Sequence, residues 1–129
     1  MAITVTKQTL VDGKRIIVVK LHLVSGAAAD VSGQKLIDIS DFAFAPKEVK
    51  IMQIEAGGSD MDIELLWDGS PSVKITTLPL PSGYSVHDYR QVGGLINNAI
   101  APTGDINFNT RGAAADSEGT ILLYLKIKS

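Results

Sequence analysis

The chain has 129 residues, with 12 basic and 14 acidic side chains for a formal charge of −2, and it contains no cysteine. A domain of this size buries roughly two-thirds of the surface its unfolded chain exposes, so a core can form without staples; disulfides and thiolate metal sites are excluded. The near balance of charge supplies no long-range field to attract nucleic acid or an anionic membrane.

Period-two alternation dominates from the start. Ile3, Val5 and Lys7 alternate with Thr4, Thr6 and Gln8, which predicts an edge strand or an N-terminal arm over residues 1–11. Met1-Ala2-Ile3 leads straight into this alternation and not into a charged region followed by an apolar one, so a soluble chain made in a cytoplasm is expected. Asp12-Gly13 then separates two apolar-rich runs, a strong hairpin signal. Lys14 to Ser25 is rich in β-branched residues and apolar on both faces at first, which predicts a central strand covered on both sides. Its apolar stretch, Ile16 to Val24, is interrupted by Lys20 and His22 and is far shorter than the roughly 20 residues of a membrane-spanning helix.

Further strands are expected at Lys35 to Ser40, Glu48 to Glu55, Asp60 to Trp67, Ser72 to Leu78, Asp105 to Thr110 and Thr120 to Lys128. The clearest alternation sets Met61, Ile63, Leu65 and Trp67 against Asp60, Asp62 and Glu64. Ile121, Leu123, Leu125 and Ile127 repeat it at the end of the chain. Glycine and proline punctuate the gaps. The best helix candidate, Val86 to Ala99, carries Gly93-Gly94, a pair that costs about 2 kcal/mol against alanine in a helix interior. The expectation is therefore an all-β fold: an antiparallel β-sandwich or jelly roll of about eight strands, in a single domain spanning residues 1–129.

One internal echo stands out. Gly26-Ala27-Ala28-Ala29-Asp30-Val31-Ser32-Gly33 recurs nearly intact as Gly112-Ala113-Ala114-Ala115-Asp116-Ser117-Glu118-Gly119. The flanking strands do not match, so this is no repeat protein. The two segments read as small-residue loops, or as loops that pack closely on a neighbouring subunit.

Catalytic chemistry finds little purchase. Nucleophilic catalysis needs a nucleophile beside an oriented base. Of the two histidines, His22 lies mid-strand at a core-edge or surface position. His87 neighbours Asp88 and follows Ser85 by two, but adjacent residues of an extended segment point to opposite faces. Asp60, Asp62 and Glu64 share one strand face at about 7 Å per two residues, which reads as a solvated face opposite the apolar one. Gly57-Gly58 and Gly93-Gly94 precede no helix and lack the Lys-Ser/Thr partner of a phosphate loop. No cofactor, metal site or direct nucleic-acid contact is expected.

The segment from Pro79 to Gly104 is the main anomaly. It holds Asp88 and Arg90 as its only formal charges, and carries Leu80, Tyr84, Val86, Tyr89, Val92, Leu95, Ile96 and Ile100. Long irregular connections in compact domains are uncommon and often functional, and Tyr and Arg are enriched at interface hot spots. A partner interface is accordingly expected at Tyr84, Val86, Tyr89, Arg90, Leu95 and Ile96. The bland alternative is that the segment folds over one end of the sandwich and plugs its core.

The layout resembles the β-sandwich capsid decoration (cement) proteins of tailed-phage virions. The segments that carry the resemblance are Ile39-Ser40-Asp41, Pro46-Lys47-Glu48-Val49-Lys50-Ile51, Leu65-Leu66-Trp67-Asp68-Gly69, Gly104-Asp105-Ile106-Asn107-Phe108-Asn109-Thr110 and the closing Ile121 to Lys128. The resemblance covers most of residues 35–129. It implies a non-enzymatic virion structural protein, attached to the major capsid protein or another shell protein, often as a homo-oligomer. A lectin-like carbohydrate-binding module is the alternative, with Tyr84, Tyr89, Asn97, Asn98, Asn107 and Asn109 lining a shallow site and Trp67 kept in the core. A metal-assisted enzyme using the acidic strand ranks third.

Overall fold

The computed structural model of the protein describes residues 3–26, 30–43, 48–58, 61–79, 85–99, 103–112 and 117–127. Alternation becomes nine strands: β1 (Ile3–Asp12), β2 (Ile16–Ser25), β3 (Gln34–Ile37), β4 (Val49–Gly58), β5 (Asp62–Trp67), β6 (Val73–Pro79), β7 (Ser85–Asp88), β8 (Ile106–Arg111) and β9 (Glu118–Ile127). They form a five-stranded sheet, β1-β2-β9-β4-β7, and a four-stranded sheet, β3-β8-β5-β6. All neighbours are antiparallel. From β2 onward the chain changes sheet at every connection except that from β5 to β6, which is jelly-roll connectivity with one extra N-terminal strand.

The core lies between the two sheets. Leu21 and Leu23 of β2, Ile51 and Ile54 of β4, and Leu123 and Leu125 of β9 face Ile63, Leu65 and Trp67 of β5 and Phe108 of β8; all are buried. The inward register expected for Met61, Ile63, Leu65 and Trp67 holds, with every one of these side chains enclosed. Burying each large apolar side chain is worth about 1.5–3 kcal/mol, which is why the alternation selects this face over the other.

The Asp12-Gly13 hairpin forms as expected, with the Gly13 N–H donating to the Ile16 carbonyl at 3.0 Å. Of the two forms expected for the N-terminal segment, Ile3–Asp12 takes the edge strand. β1 is the edge strand, held across Ile3–Asp12 by β2 and clamped at several points on its other side. The Lys7 ammonium meets Asp41 at 2.9 Å and lies 5.4 Å from the Phe42 ring centre. The Asp12 carboxylate accepts the Ala43 N–H, and Gln34 Nε2 donates to the Ile3 carbonyl at 3.1 Å.

Three expectations need correction. The strand predicted over Lys35 to Ser40 stops at Ile37, and Ile39–Asp41 form a 3-10 turn because the Asp38 carboxylate caps the Ser40 N–H at 3.0 Å. β2 is covered on both faces only near its start, where Val18 of the outer face is buried; beyond it the inner side chains are in the core while Lys20 and His22 sit on the open outer face. The segment after Pro79 is not wholly irregular, since β7 pairs with β4 from Gln53–Asp88 to Ala56–Ser85 and brings the strand total among the described residues to nine.

The two echoing loops meet. Thr110 Oγ1 donates to Asp30 Oδ1 at 3.2 Å, the Gly112 N–H donates to Asp30 Oδ2 at 3.3 Å, and the Ser25 N–H donates to the Ser117 carbonyl at 2.8 Å. Their shared end of the sandwich is closed by these bonds. Ala27–Ala29 and Ala113–Asp116, on which the idea of close packing against a neighbour rested, lie outside the described residues.

Candidate functional site

The segment 85–99 has two sides. Its inner side is anchored: the Tyr89 N–H donates to the Met52 carbonyl at 2.9 Å, and Leu95 and Ile51 exchange backbone hydrogen bonds. Tyr89, Leu95 and Ala99 pack against the core. Between these anchors a 3-10 turn, Arg90–Val92, ends at Gly93 in the left-handed region. Gly94 follows at φ +92°, where an added Cβ would lie 2.6 Å from Met52 Sδ. Only glycine lets the backbone lie this close to β4. The outer side is apolar and open, with Val86 50%, Val92 74% and Ile96 56% exposed.

The six residues expected at a partner interface are thus divided. Val86, Arg90 and Ile96 are on the surface, Tyr89 and Leu95 serve as half-buried anchors, and Tyr84 lies outside the described residues. Arg90 grips Asp88 through Nε at 2.9 Å and Nη2 at 2.7 Å, and this pairing brings the Asp88 carboxyl down to about 2. Val92, the most exposed of the large apolar side chains, is the surface residue that the sequence reading left out of the interface. Its place within a glycine-terminated turn was the available signal.

Of the acidic side chains expected on a solvated face, Asp60 lies outside the described residues, Asp62 is half-buried, and only Glu64 departs from the expectation. Glu64 is 2% exposed and is bracketed by Lys74 Nζ at 2.8 Å and by the Arg111 guanidinium. Lys74 and then Arg111 hold its carboxyl below the usual range. The two basic side chains come from β6 and from the end of β8, so the neutralising partners arrive by strand pairing. Asp68 accepts hydrogen bonds from Thr103 Oγ1 at 2.8 Å and Asn107 Nδ2 at 3.0 Å. Asp105 accepts the Ile39 N–H at 3.0 Å and meets Lys35 at 2.8 Å. Among the described residues no three His, Asp or Glu side chains gather as metal ligands.

Of the side chains proposed for a glycan site, Tyr84 lies outside the described residues, Asn98 borders a shallow hollow with Trp67, Lys74 and Ile75, and Asn107 and Asn109 are not among the residues lining that hollow. Trp67 is enclosed in the core. Asn107 and Asn109 are spent on Asp68 and on the Gly33 N–H, on a different sheet from β7 and its following turn.

A hollow on the outer face of the five-stranded sheet was not anticipated. Lys20, His22, Glu55, Gly57, Gly58, Glu118, Gly119, Thr120 and Leu122 are among its lining residues, and it encloses about 500 Å³. Glycine leaves the floor without side chains. His22 Nδ1 lies 3.3 Å from Thr120 Oγ1, and its Nε2 stands 3.6 Å from Glu118 Oε1. His22 and Thr120 are paired across β2 and β9, a juxtaposition of residues 98 apart in sequence.

Fold and surface together define an antiparallel β-sandwich of jelly-roll connectivity. No protein-family model and no curated protein matches the chain. A cupin domain from Bordetella pertussis Tohama I is similar at a TM-score of 0.37 and 12% identity, over 97% of this chain and 94% of that one. A likeness this loose bears on no functional question.

Proposed function

We propose that this protein is a non-enzymatic assembly protein that binds a protein shell, in its most specific form a phage-capsid decoration protein located on the virion. The observation that carries this reading is the outer side of segment 85–99. Val92 and Ile96 are displayed to solvent while Tyr89 and Leu95 anchor the backbone beneath them. Large apolar side chains held exposed on a preorganised support lose little entropy on docking, and such patches mark protein-binding sites. The acidic groups support a binding role in a second way: the buried Glu64 and Asp105 and the half-buried Asp68 are each engaged in structural hydrogen bonds or ion pairs.

The test is co-sedimentation with capsid shells isolated from the phage or prophage that encodes the chain. The parent protein should pellet with the shells. A Val92→Asp/Ile96→Asp double variant should keep its melting temperature and stay in the supernatant. A parent protein that does not pellet sinks the reading.

A further inference from the structure

One end of the outer face of the five-stranded sheet holds an uncompensated pair of like charges. Strand pairing sets Ile16, Lys126 and Lys50 in one row across β2, β9 and β4. These side chains alternate with the buried Ile17, Leu125 and Ile51, so they point away from the core. Lys50 and Lys126 are therefore direct neighbours across a ladder, where like charges are destabilising. Neither lysine has an ion-pair partner among the described residues.

Beside this pair the surface is recessed. Ile16, Met52, Gln53, Arg90, Tyr124 and Lys126 are among the residues lining a hollow of about 420 Å³. Met52 falls where the register of β4 on β9 shifts, between Ile51 and Gln53, and such bulges re-aim side chains. Arg90 enters from the 3-10 turn. Its Nε and Nη2 hold Asp88, which leaves Nη1 as a donor. The hollow thus combines two cations, the Gln53 amide and an apolar wall from Ile16 and Met52.

The carboxylates nearby are already engaged. Asp88 is gripped by Arg90, Glu55 accepts the Tyr124 hydroxyl, and Glu48, two positions before Lys50, has an interaction of its own. Lys14 and Arg15, exposed in the hairpin just before Ile16, add positive charge to this corner of a chain whose formal charge is −2.

We infer that this corner binds an acidic segment of a partner polypeptide, its carboxylates on Lys50, Lys126 and Arg90 and an apolar side chain in the hollow. A carboxylate shared by the two lysines replaces their repulsion with charge-assisted hydrogen bonds. The apolar wall favours a peptide over a nucleic acid. Phosphate backbones are held by basic grooves with aromatic platforms for the bases, and the aromatic lining this hollow, Tyr124, has its hydroxyl tied to Glu55.

The inference does not rest on shell binding, because Lys50 and Lys126 lie outside segment 85–99 and the probe is a peptide alone. That probe is fluorescein-labelled acetyl-Glu-Glu-Leu-Glu-Glu-amide, titrated with the full chain at low ionic strength and followed by fluorescence anisotropy. The comparisons are the same peptide with glutamine for glutamate and a labelled single-stranded oligothymidylate of equal charge. The parent should bind the acidic peptide at least about tenfold more tightly than either comparison. Lys50→Glu and Lys126→Glu should each weaken binding by about tenfold or more, since each sets a like charge against the ligand. Lys126→Arg keeps the charge and should stay within about threefold of the parent. Lys126→Glu also puts opposite charges across the ladder, so it should melt no lower than the parent while losing the peptide. A variant damaged in folding would not show that combination. Equal affinity for the glutamine peptide, a preference for the oligothymidylate, binding indifferent to the lysine reversals, or a Lys126→Glu chain that melts below the parent would each overturn the inference.

Discussion

Leu95 and Ile51 exchange two backbone hydrogen bonds, 2.8 Å from the Leu95 N–H and 3.0 Å from the Ile51 N–H, and so stitch a strandless stretch to the edge of β4 that faces away from β9. The stitch explains how segment 85–99 displays apolar side chains without being loose. Its weak point is the pair of glycines just before Leu95.

Gly94→Ala should lower stability by about 1–3 kcal/mol, because φ is positive and the new methyl meets Met52 and the Ile51 carbonyl. At Gly93 nothing lies within 4 Å, so Gly93→Ala should cost only the left-handed backbone, about 1 kcal/mol. Urea midpoints of the two variants compare them directly. An equal cost at both positions would mean that close approach to β4 contributes nothing.

Trp67→Ala should cost about 3–5 kcal/mol of folding stability, as removal of an enclosed aromatic does. Val92→Asp should stay within about 0.5 kcal/mol of the parent, since its side chain is in solvent. Thermal melts on both, beside shell binding, separate core from surface. Loss of fold in Val92→Asp would place that residue in the core and remove the basis of the shell-binding surface.

Asp105→Ala should cost about 1–3 kcal/mol, because it leaves the buried Ile39 N–H without its acceptor. Asp105→Asn keeps an acceptor oxygen and should cost less. Lys35→Ala, which removes only a half-exposed cation from the same carboxylate, should cost at most about 1 kcal/mol. The order Ala > Asn > Lys35→Ala, read by chemical denaturation, is the expected result.

Acid should destabilise the fold through carboxylates whose folded pKa values are depressed. Glu64 is lowered from 4.5 by Lys74 and Arg111, and Asp88 from 3.8 to about 2 by Arg90. A depressed carboxylate contributes stability above its unfolded pKa and loses it as pH falls through the folded value. The denaturation midpoint should therefore hold steady near neutrality, begin to fall as pH drops below 4.5, and continue falling toward 2. Glu64→Gln should flatten the upper part of that decline, and an unchanged pH profile would contradict the pairing.

Local pattern carried the reading a long way. The inward set Met61, Ile63, Leu65 and Trp67, the Asp12-Gly13 hairpin and the absence of long helices among the described residues were all legible, because alternation and turn chemistry are properties of neighbouring residues. The anomaly at 79–104 was legible too, but its division into anchors and exposed side chains was not. Which side of Tyr89 or Leu95 faces inward is decided by β4, some forty positions earlier in the chain.

Glu64 and His22 mark the same boundary more sharply. In sequence Glu64 belongs to the polar side of an alternating strand, and that side was correctly read as outer. Its enclosure comes from Lys74 and Arg111, which only the pairing of β5 with β6 and β8 brings to it. His22 meets Thr120 because β2 pairs with β9, and Lys20 and Glu55 share a row only because β9 runs between β2 and β4. The sequence by itself determined that this chain folds into strands and which face of each strand is apolar, since both follow from side chains a few residues apart. Only the tertiary structure decided which strands became neighbours, because partner choice is a competition among contacts distant in sequence, and from that choice came the ion pairs that enclose Glu64 and the glycine-floored hollow.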